Sequence, residues 1–162
     1  MERLILFRHG KAEAHAATGD DFDRPLSPRG MRGAAAIGEA LAASGMKPDI
    51  VLASPSARTR ETWDVAKAAF PPAAAEFPAG LYNADAETIW RTAEGRDGTV
   101  VVVGHNPGLH ELTLTLMIAA DAPAADLSRA QRKFPPGTAA VFAIDPAGRP
   151  TFEGLHYPER EG

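Results

Sequence analysis

Short apolar runs alternate with amphipathic stretches along the chain. Arg3 to Phe7 is apolar between polar flanks and ends near Gly10, the pattern of a buried strand. Residues 10–27 are polar and irregular, a loop long enough to be functional. Ser27-Pro28 predicts a helix start, with Ser27 as cap and Pro28 at the first helical position, where a missing N–H costs nothing. Met31, Ala34, Ile37 and Leu41 follow at helical spacing, and Gly45 stops the element. Asp49 to Ala53 predicts a second buried strand, and a helix from about Ala57 to Phe70 runs into Pro71-Pro72. Ala74 to Phe77 reads as a weak strand, and Ala86 to Glu94 as a helix with Ile89, Trp90 and Ala93 on one side. Thr99 to Val103 is the strongest strand, because its valines suit a position buried on both faces. Leu109 to Ala119 predicts an apolar helix after the turn Gly104–Gly108. Residues 120–137, rich in Ala, Pro and Asp, read as an irregular connection. Ala139 to Ile144 and Thr151 to Gly154 form a terminal strand pair, with a loose tail from Pro158. Alternating strands and helices imply a three-layer α/β/α sandwich with a mainly parallel sheet, whose ligands bind beyond the carboxyl ends of the strands.

Composition narrows the function. The 162 residues suit one domain over 1–162, with a core of ordinary size. The absence of cysteine excludes disulfides, thiolate catalysis and cysteine-ligated metals. A net charge of −4, from 17 basic and 21 acidic residues, argues against a broad nucleic-acid surface while leaving room for a local basic pocket. The apolar run in MERLILFRHG is too short for a signal-peptide core, and no segment approaches the length of a membrane span. A cytoplasmic protein with neither membrane nor nucleic-acid partners is expected.

Three predicted strands end in polar residues: Arg8 and His9 after the first, Ser54-Pro55-Ser56-Ala57-Arg58 after the second, Gly104-His105-Asn106 after the valines. If these strands are parallel, two imidazoles and two guanidinium groups converge on one site. Arginine forks suit phosphate oxygens. An imidazole among cations stays neutral and nucleophilic. A second imidazole can donate to the transferring group, and the following helix N-termini add N–H groups. Phosphoryl transfer needs little more than such positioning and charge stabilisation.

With these residues in view, the sequence resembles the histidine phosphatase superfamily, which includes the cofactor-dependent phosphoglycerate mutases. Arg8-His9-Gly10 matches its signature, and Pro25-Leu26-Ser27-Pro28-Arg29-Gly30 is similar to its PLTxxG helix start. Ser54 to Thr62 is similar to its SPxxRAxQT segment, and Val100 to His105 to its apolar strand ending in Gly-His. The short chain is most similar to the compact SixA-type phosphohistidine phosphatases. The resemblance implies a phosphoglycerate mutase-like fold, His9 as the nucleophile that becomes phosphorylated, and Arg8, Arg58 and His105 as its phosphate pocket. It implies no metal and no organic cofactor.

The chain departs from the family in places. His15 stands where asparagine is common, and Glu61 replaces the usual glutamine, which leaves the chemistry unchanged. The general acid of the mutase branch has no clear match. Asp85 and Glu87 lie in the corresponding region, outside any recognisable motif. An alkoxide leaving group needs a proton donor, whereas a phosphoramidate nitrogen leaves readily once protonated. A poorly defined acid therefore suits phosphohistidine borne on a protein. The alternatives are a phosphomonoesterase acting on a small phosphorylated metabolite, and a module that binds a phosphorylated partner without turnover. Residues 10–24 and 120–137 would set substrate choice. His15, His110 and His156 read as surface or partly buried histidines, Lys11 as an exposed lysine, and Asp20, Asp21 and Asp23 as a solvated loop or a screen against acidic substrates. A metal site from His9, His15, Asp20 and Asp21 lacks any ligand spacing to support it.

Overall fold

A computed structural model describes residues 1–158. The strands are β1 (Arg3–Arg8), β2 (Ile50–Ala53), β3 (Ala74–Glu76), β4 (Thr99–Gly104), β5 (Ala139–Ile144) and β6 (Pro150–His156). They form one sheet in the order β3-β2-β4-β1-β5-β6. Neighbours from β3 to β1 are parallel, and β5 and β6 add an antiparallel edge. The helices are α1 (Pro28–Ala43), α2 (Ala57–Ala66), α3 (Ala86–Glu94), α4 (Gly108–Ala119) and α5 (Ala124–Arg132).

Strand alternation builds the three layers. Ile5, Phe7, Val51, Val101 and Val103 pack with Ile37 and Leu41 of α1 and Trp63 of α2. Leu4, Leu6, Leu52, Val100 and Val102 face the other way, onto Ile89 of α3 and Leu109, Leu112 and Met117 of α4. The register Leu4↔Val100 and Ile5↔Val101 keeps the two faces in phase. The result is the expected three-layer α/β/α sandwich with a mainly parallel sheet. Among the described residues, no helix is long and apolar enough to cross a membrane.

Two expectations need correction. The segment 120–137 is not an irregular connection throughout, since α5 occupies its centre. Only Leu127 and Ala130 mark its inner face, too few to show a helical period. Alanine content and charge order carry the helix instead, with Asp126 in the first turn and Arg129 and Arg132 in the last, complementing the backbone dipole. Met31, placed on the apolar stripe of α1, is 42% exposed, while Ala34, Ile37 and Leu41 are buried. Short 3-10 turns at Asp21–Asp23 and Ala79–Leu81 also break stretches that carry no periodic signal. Of the tail expected from Pro158, residues 159–162 lie outside the described residues.

One backbone contact holds two motifs together. A Cβ on Gly10 would lie 2.8 Å from the Gly30 carbonyl oxygen, and one on Gly30 would overlap the Lys11 carbonyl. The glycine after His9 and the glycine opening α1 therefore meet backbone to backbone, and neither tolerates a methyl group. Gly30→Ala is expected to lower stability by about 2 kcal/mol or more, seen as a reduced melting temperature. A shift of under about 0.5 kcal/mol would show that the contact relaxes freely.

Candidate active site

The parallel register carries the polar strand ends to one edge. Arg8 lies opposite Gly104, and Ala53 opposite Val103, so Arg8, Ser54 and His105 leave the sheet side by side. Helices α2 and α4 begin directly beyond this edge, at Ala57 and Gly108.

His9 is 8% exposed. Its backbone N–H donates to the Gly104 carbonyl at 3.1 Å. Its Nδ1 lies 2.7 Å from the Gly10 carbonyl oxygen. A carbonyl only accepts, so the proton sits on Nδ1 and the lone pair of the neutral ring is on Nε2. Burial, and then the charges of Arg58, Arg8 and Arg24, push its pKa down to about 4 against the opposing Gly10 hydrogen bond. The ring is neutral at physiological pH and presents a free base.

His105 lies beside it, with ring centroids 5.3 Å apart. Its Nε2 is 2.8 Å from the Ser54 hydroxyl, while buried Nδ1 has no partner. Burial, the His9 ring and Arg58 lower its pKa to about 3. A proton donated by Ser54 to Nε2 leaves the imidazole proton on Nδ1, as a donor without an acceptor. Arg8 gives one N–H to the Phe134 carbonyl at 2.7 Å, and its buried Nε is also unpartnered. Burial and the nearby Arg58 depress its pKa. The four anticipated residues are thus brought together, and two of them, Arg8 and His105, carry buried unpartnered nitrogens that suit an anionic guest.

The Ser54–Thr62 segment explains itself residue by residue. Thr59 ties the turn by donating to the Ser54 carbonyl at 2.6 Å, Thr62 accepts from Gly10 N–H at 2.9 Å, and Glu61 accepts from Leu26 N–H at 3.0 Å. A glutamine carbonyl would accept the same bond, so the substitution leaves the scaffold intact.

Arg58 is 7% exposed, not a solvated helix residue. It donates from Nη1 to the Asp21 backbone carbonyl at 2.8 Å and from Nη2 to the Asp21 carboxylate at 3.1 Å. Asp21 also accepts from Tyr82 at 2.6 Å and Arg24 at 2.9 Å. The Tyr82 and Arg24 bonds, with the Arg58 charge, hold its carboxyl far below the usual carboxylate range. The aspartate cluster is therefore not a uniform solvated loop. Asp20 caps the 3-10 turn through Phe22 N–H, Asp21 braces Arg58, and Asp23 accepts from Thr18. The sequence marks Asp21 only as part of an acidic loop and does not mark Tyr82; that acidic loop beside strand-end arginines is the signal for the Arg58 brace.

The other candidates are placed elsewhere. Asp85 is exposed and caps α3 by accepting from Thr88 N–H at 2.8 Å, which lowers its pKa. A general acid needs the opposite shift. Glu87 pairs with Arg91 at 2.6 Å on the exposed helix face. His15 is exposed, His110 bonds the Ala130 carbonyl and stacks on Phe134, and His156 is half-buried in β6. Among the described residues, no group of three or more His, Cys, Asp or Glu is placed to hold a metal ion.

The comparisons with known proteins agree with this picture. The model of the histidine phosphatase superfamily (branch 1) matches residues 4–88. An uncharacterised Mycobacterium tuberculosis protein is 35% identical over 141 residues, covering 85% of this chain and 86% of its own length. A solved structure from Agrobacterium tumefaciens, assigned as a phosphohistidine phosphatase SixA, is 30% identical with a TM-score of 0.82, covering 97% of this chain and 98% of its own. A phosphoglycerate mutase from Plasmodium falciparum shares the fold at 19% identity and a TM-score of 0.62, covering 99% of this chain and 96% of its own.

Proposed function

The chain belongs to branch 1 of the histidine phosphatase superfamily and is a phosphatase; from that premise we propose that it removes the phosphoryl group from phosphohistidine in a protein, through a phosphorylated His9. The observation that carries the mechanism is the buried neutral imidazole of His9, its proton fixed on Nδ1 by the Gly10 carbonyl. The Nε2 lone pair attacks phosphorus in line with the leaving group. The new N–P bond forms as the bond to the leaving nitrogen breaks, and that nitrogen keeps the electron pair as a lone pair, the departing imidazole being neutral because its other ring nitrogen carries the proton. Water then attacks phosphorus, releasing phosphate and restoring neutral His9. Arg8, Arg58 and the Nδ1–H of His105 stabilise charge on the equatorial oxygens.

Preference for a P–N bond is supported by the charge state of two carboxylates, one bracing Arg58 and one capping α3. Asp21 and Asp85 are both held ionised by their partners, so neither stores a proton for an alkoxide. A similar solved chain assigned as a SixA phosphohistidine phosphatase supports the same substrate. The test is a comparison of kcat/KM on a phosphohistidine-bearing protein and on an aryl phosphate. Faster turnover of phosphohistidine is expected. Activity confined to the aryl ester would move the assignment to a small-molecule phosphomonoesterase, and silence on both to a binding module.

The pH profile follows from the same imidazole. His9 is protonated only below about pH 4, so kcat/KM, corrected for substrate ionisation, is expected to stay level from pH 7 to 5 and fall through about pH 4. A falling limb centred at pH 6–7 would mean that the imidazole is not held neutral.

A further inference from the structure

A second basic feature lies on the same sheet edge. A cavity of about 420 Å³ is lined by Lys11, Arg29, Arg32, Arg129 and Lys133, together with Tyr157. Acidic residues outnumber basic ones 21 to 17 in the chain, yet among the described residues no acidic side chain lines this cavity. The five cations come from the segment after His9, from α1, from the end of α5 and from the residue following it. All five are exposed. Arg129 stacks on Tyr157 with its guanidinium carbon 3.9 Å from the ring centroid, and Lys133 approaches the same ring at 5.7 Å. Among the described residues, Lys11, Arg129 and Lys133 form no ion pair. Gathering Lys11, Arg129 and Lys133 on one cavity wall disfavours the compact state unless an anion offsets them.

Sheet topology fixes where the cavity lies. The reactive edge runs over the ends of β2, β4 and β1. Next along that edge, the start of β5 pairs with the end of β1 (Ala139↔Phe7), and the end of β6 pairs with the start of β5 (His156↔Ala139). Pro135 to Gly137, leading into β5, and Tyr157 and Pro158, leaving β6, line the cavity. Gly10, the residue after His9, is part of the wall, and so is Gly137, whose N–H donates to the His9 carbonyl at 2.8 Å. The cavity and the candidate active site therefore share the backbone around His9 as a partition.

We infer that this cavity docks an acidic segment flanking the phosphorylated residue of a protein substrate. The inference rests on the phosphoprotein reading above and adds what selects the substrate. Three or four extended residues span roughly 10–13 Å, enough to cross a partition one or two residues wide. Exposed, rotatable lysine and arginine ends suit the diffuse charge of a peptide. A dedicated small-anion site would instead hold its ligand with buried, fixed donors. Segment 120–137, which carries Arg129 and Lys133, thus contributes to substrate choice through charge.

The test has two readouts. The first is binding of a fluorescent, unphosphorylated poly-glutamate peptide at low salt, read by anisotropy, with its glutamine counterpart as control. The glutamate peptide is expected to bind, and to weaken roughly tenfold or more in the Arg129→Glu/Lys133→Glu protein. Arg129→Gln/Lys133→Gln is expected to fall between, which guards against misfolding of the reversed variant. The second readout is the ratio of kcat/KM for phosphohistidine peptides flanked by glutamate or by glutamine. That ratio is expected to be roughly tenfold in the wild type and to collapse toward one in the charge-reversed protein. Equal binding of the two unphosphorylated peptides overturns the inference, as does binding of ATP without any binding of the peptide. If neither phosphohistidine peptide is turned over while an aryl phosphate is, the substrate reading fails, and the binding readout still decides whether the cavity takes acidic chains.

Discussion

His9→Ala is expected to lose turnover by at least about 10⁴-fold on every phosphorylated substrate, while inorganic phosphate still binds. The reason is geometric. The imidazole is the neutral base in the constellation whose lone pair is both fixed and unoccupied, because Nδ1–H is engaged with the Gly10 carbonyl and Nε2 is left over. The second imidazole does not substitute for it, since its Nε2 is occupied by Ser54 and its unpartnered atom is Nδ1. In the proposed mechanism phosphate affinity belongs chiefly to Arg8 and Arg58, which the substitution leaves in place. A labelled phosphoryl group should accumulate on His9 when the wild type is quenched during turnover, and none should be trapped on the alanine variant. Near-normal activity of His9→Ala, or a label found on His105, would refute the assignment. His9→Gln is the companion variant, filling much of the imidazole volume without supplying a nucleophile, and it should be equally inactive.

Much of this site was legible because its residues sit where strand periodicity ends. The runs Leu4–Phe7, Ile50–Ala53 and Val100–Val103 are apolar at successive positions, which happens when both faces of a strand are covered. Residues that break such a run must leave the sheet together if the strands are parallel. Arg8, His9, Ser54 and His105 could therefore be grouped before any contact was known. The motif glycines were legible as turn residues only. That Gly10 and Gly30 press against one another is a tertiary fact without a local pattern. Helix α5 escaped because its inner face is alanine and one leucine, which propensity allows and periodicity does not announce. Asp21 escaped for a different reason. Three aspartates within four residues look alike in sequence, and only the fold selects which one meets Arg58. The basic cavity is scattered over residues 11, 29, 32, 129 and 133, so net charge conceals it.

Arg58→Ala is expected to lower kcat/KM by roughly 10³-fold, and the Asp21 bracing makes the pattern of its rescue informative. Two of the five guanidinium N–H groups point at Asp21, one at its carbonyl and one at its carboxylate, which leaves the others for a phosphoryl oxygen. Asp21 thus acts as a positioning residue. It aims the fork and keeps its own negative charge neutralised by Arg58 and Arg24. Removing Arg58 does two kinds of damage, because it deletes a cation and leaves the Asp21 carboxylate opposite an incoming dianion. Asp21→Asn alone keeps the backbone bond to Arg58 and should cost less than about tenfold. Combined with Arg58→Ala, it should recover roughly tenfold of the loss, since the repelling charge is gone. Arg58→Lys should recover little, because an ammonium does not reproduce the planar fork that serves Asp21 and the pocket at once. The cycle is read in kcat/KM for an aryl phosphate, with melting curves to confirm that each variant is folded. Strict additivity of Asp21→Asn and Arg58→Ala would show that the carboxylate does not bear on the pocket. Full activity of Arg58→Lys would show that charge alone, without the fork geometry, is what the reaction uses.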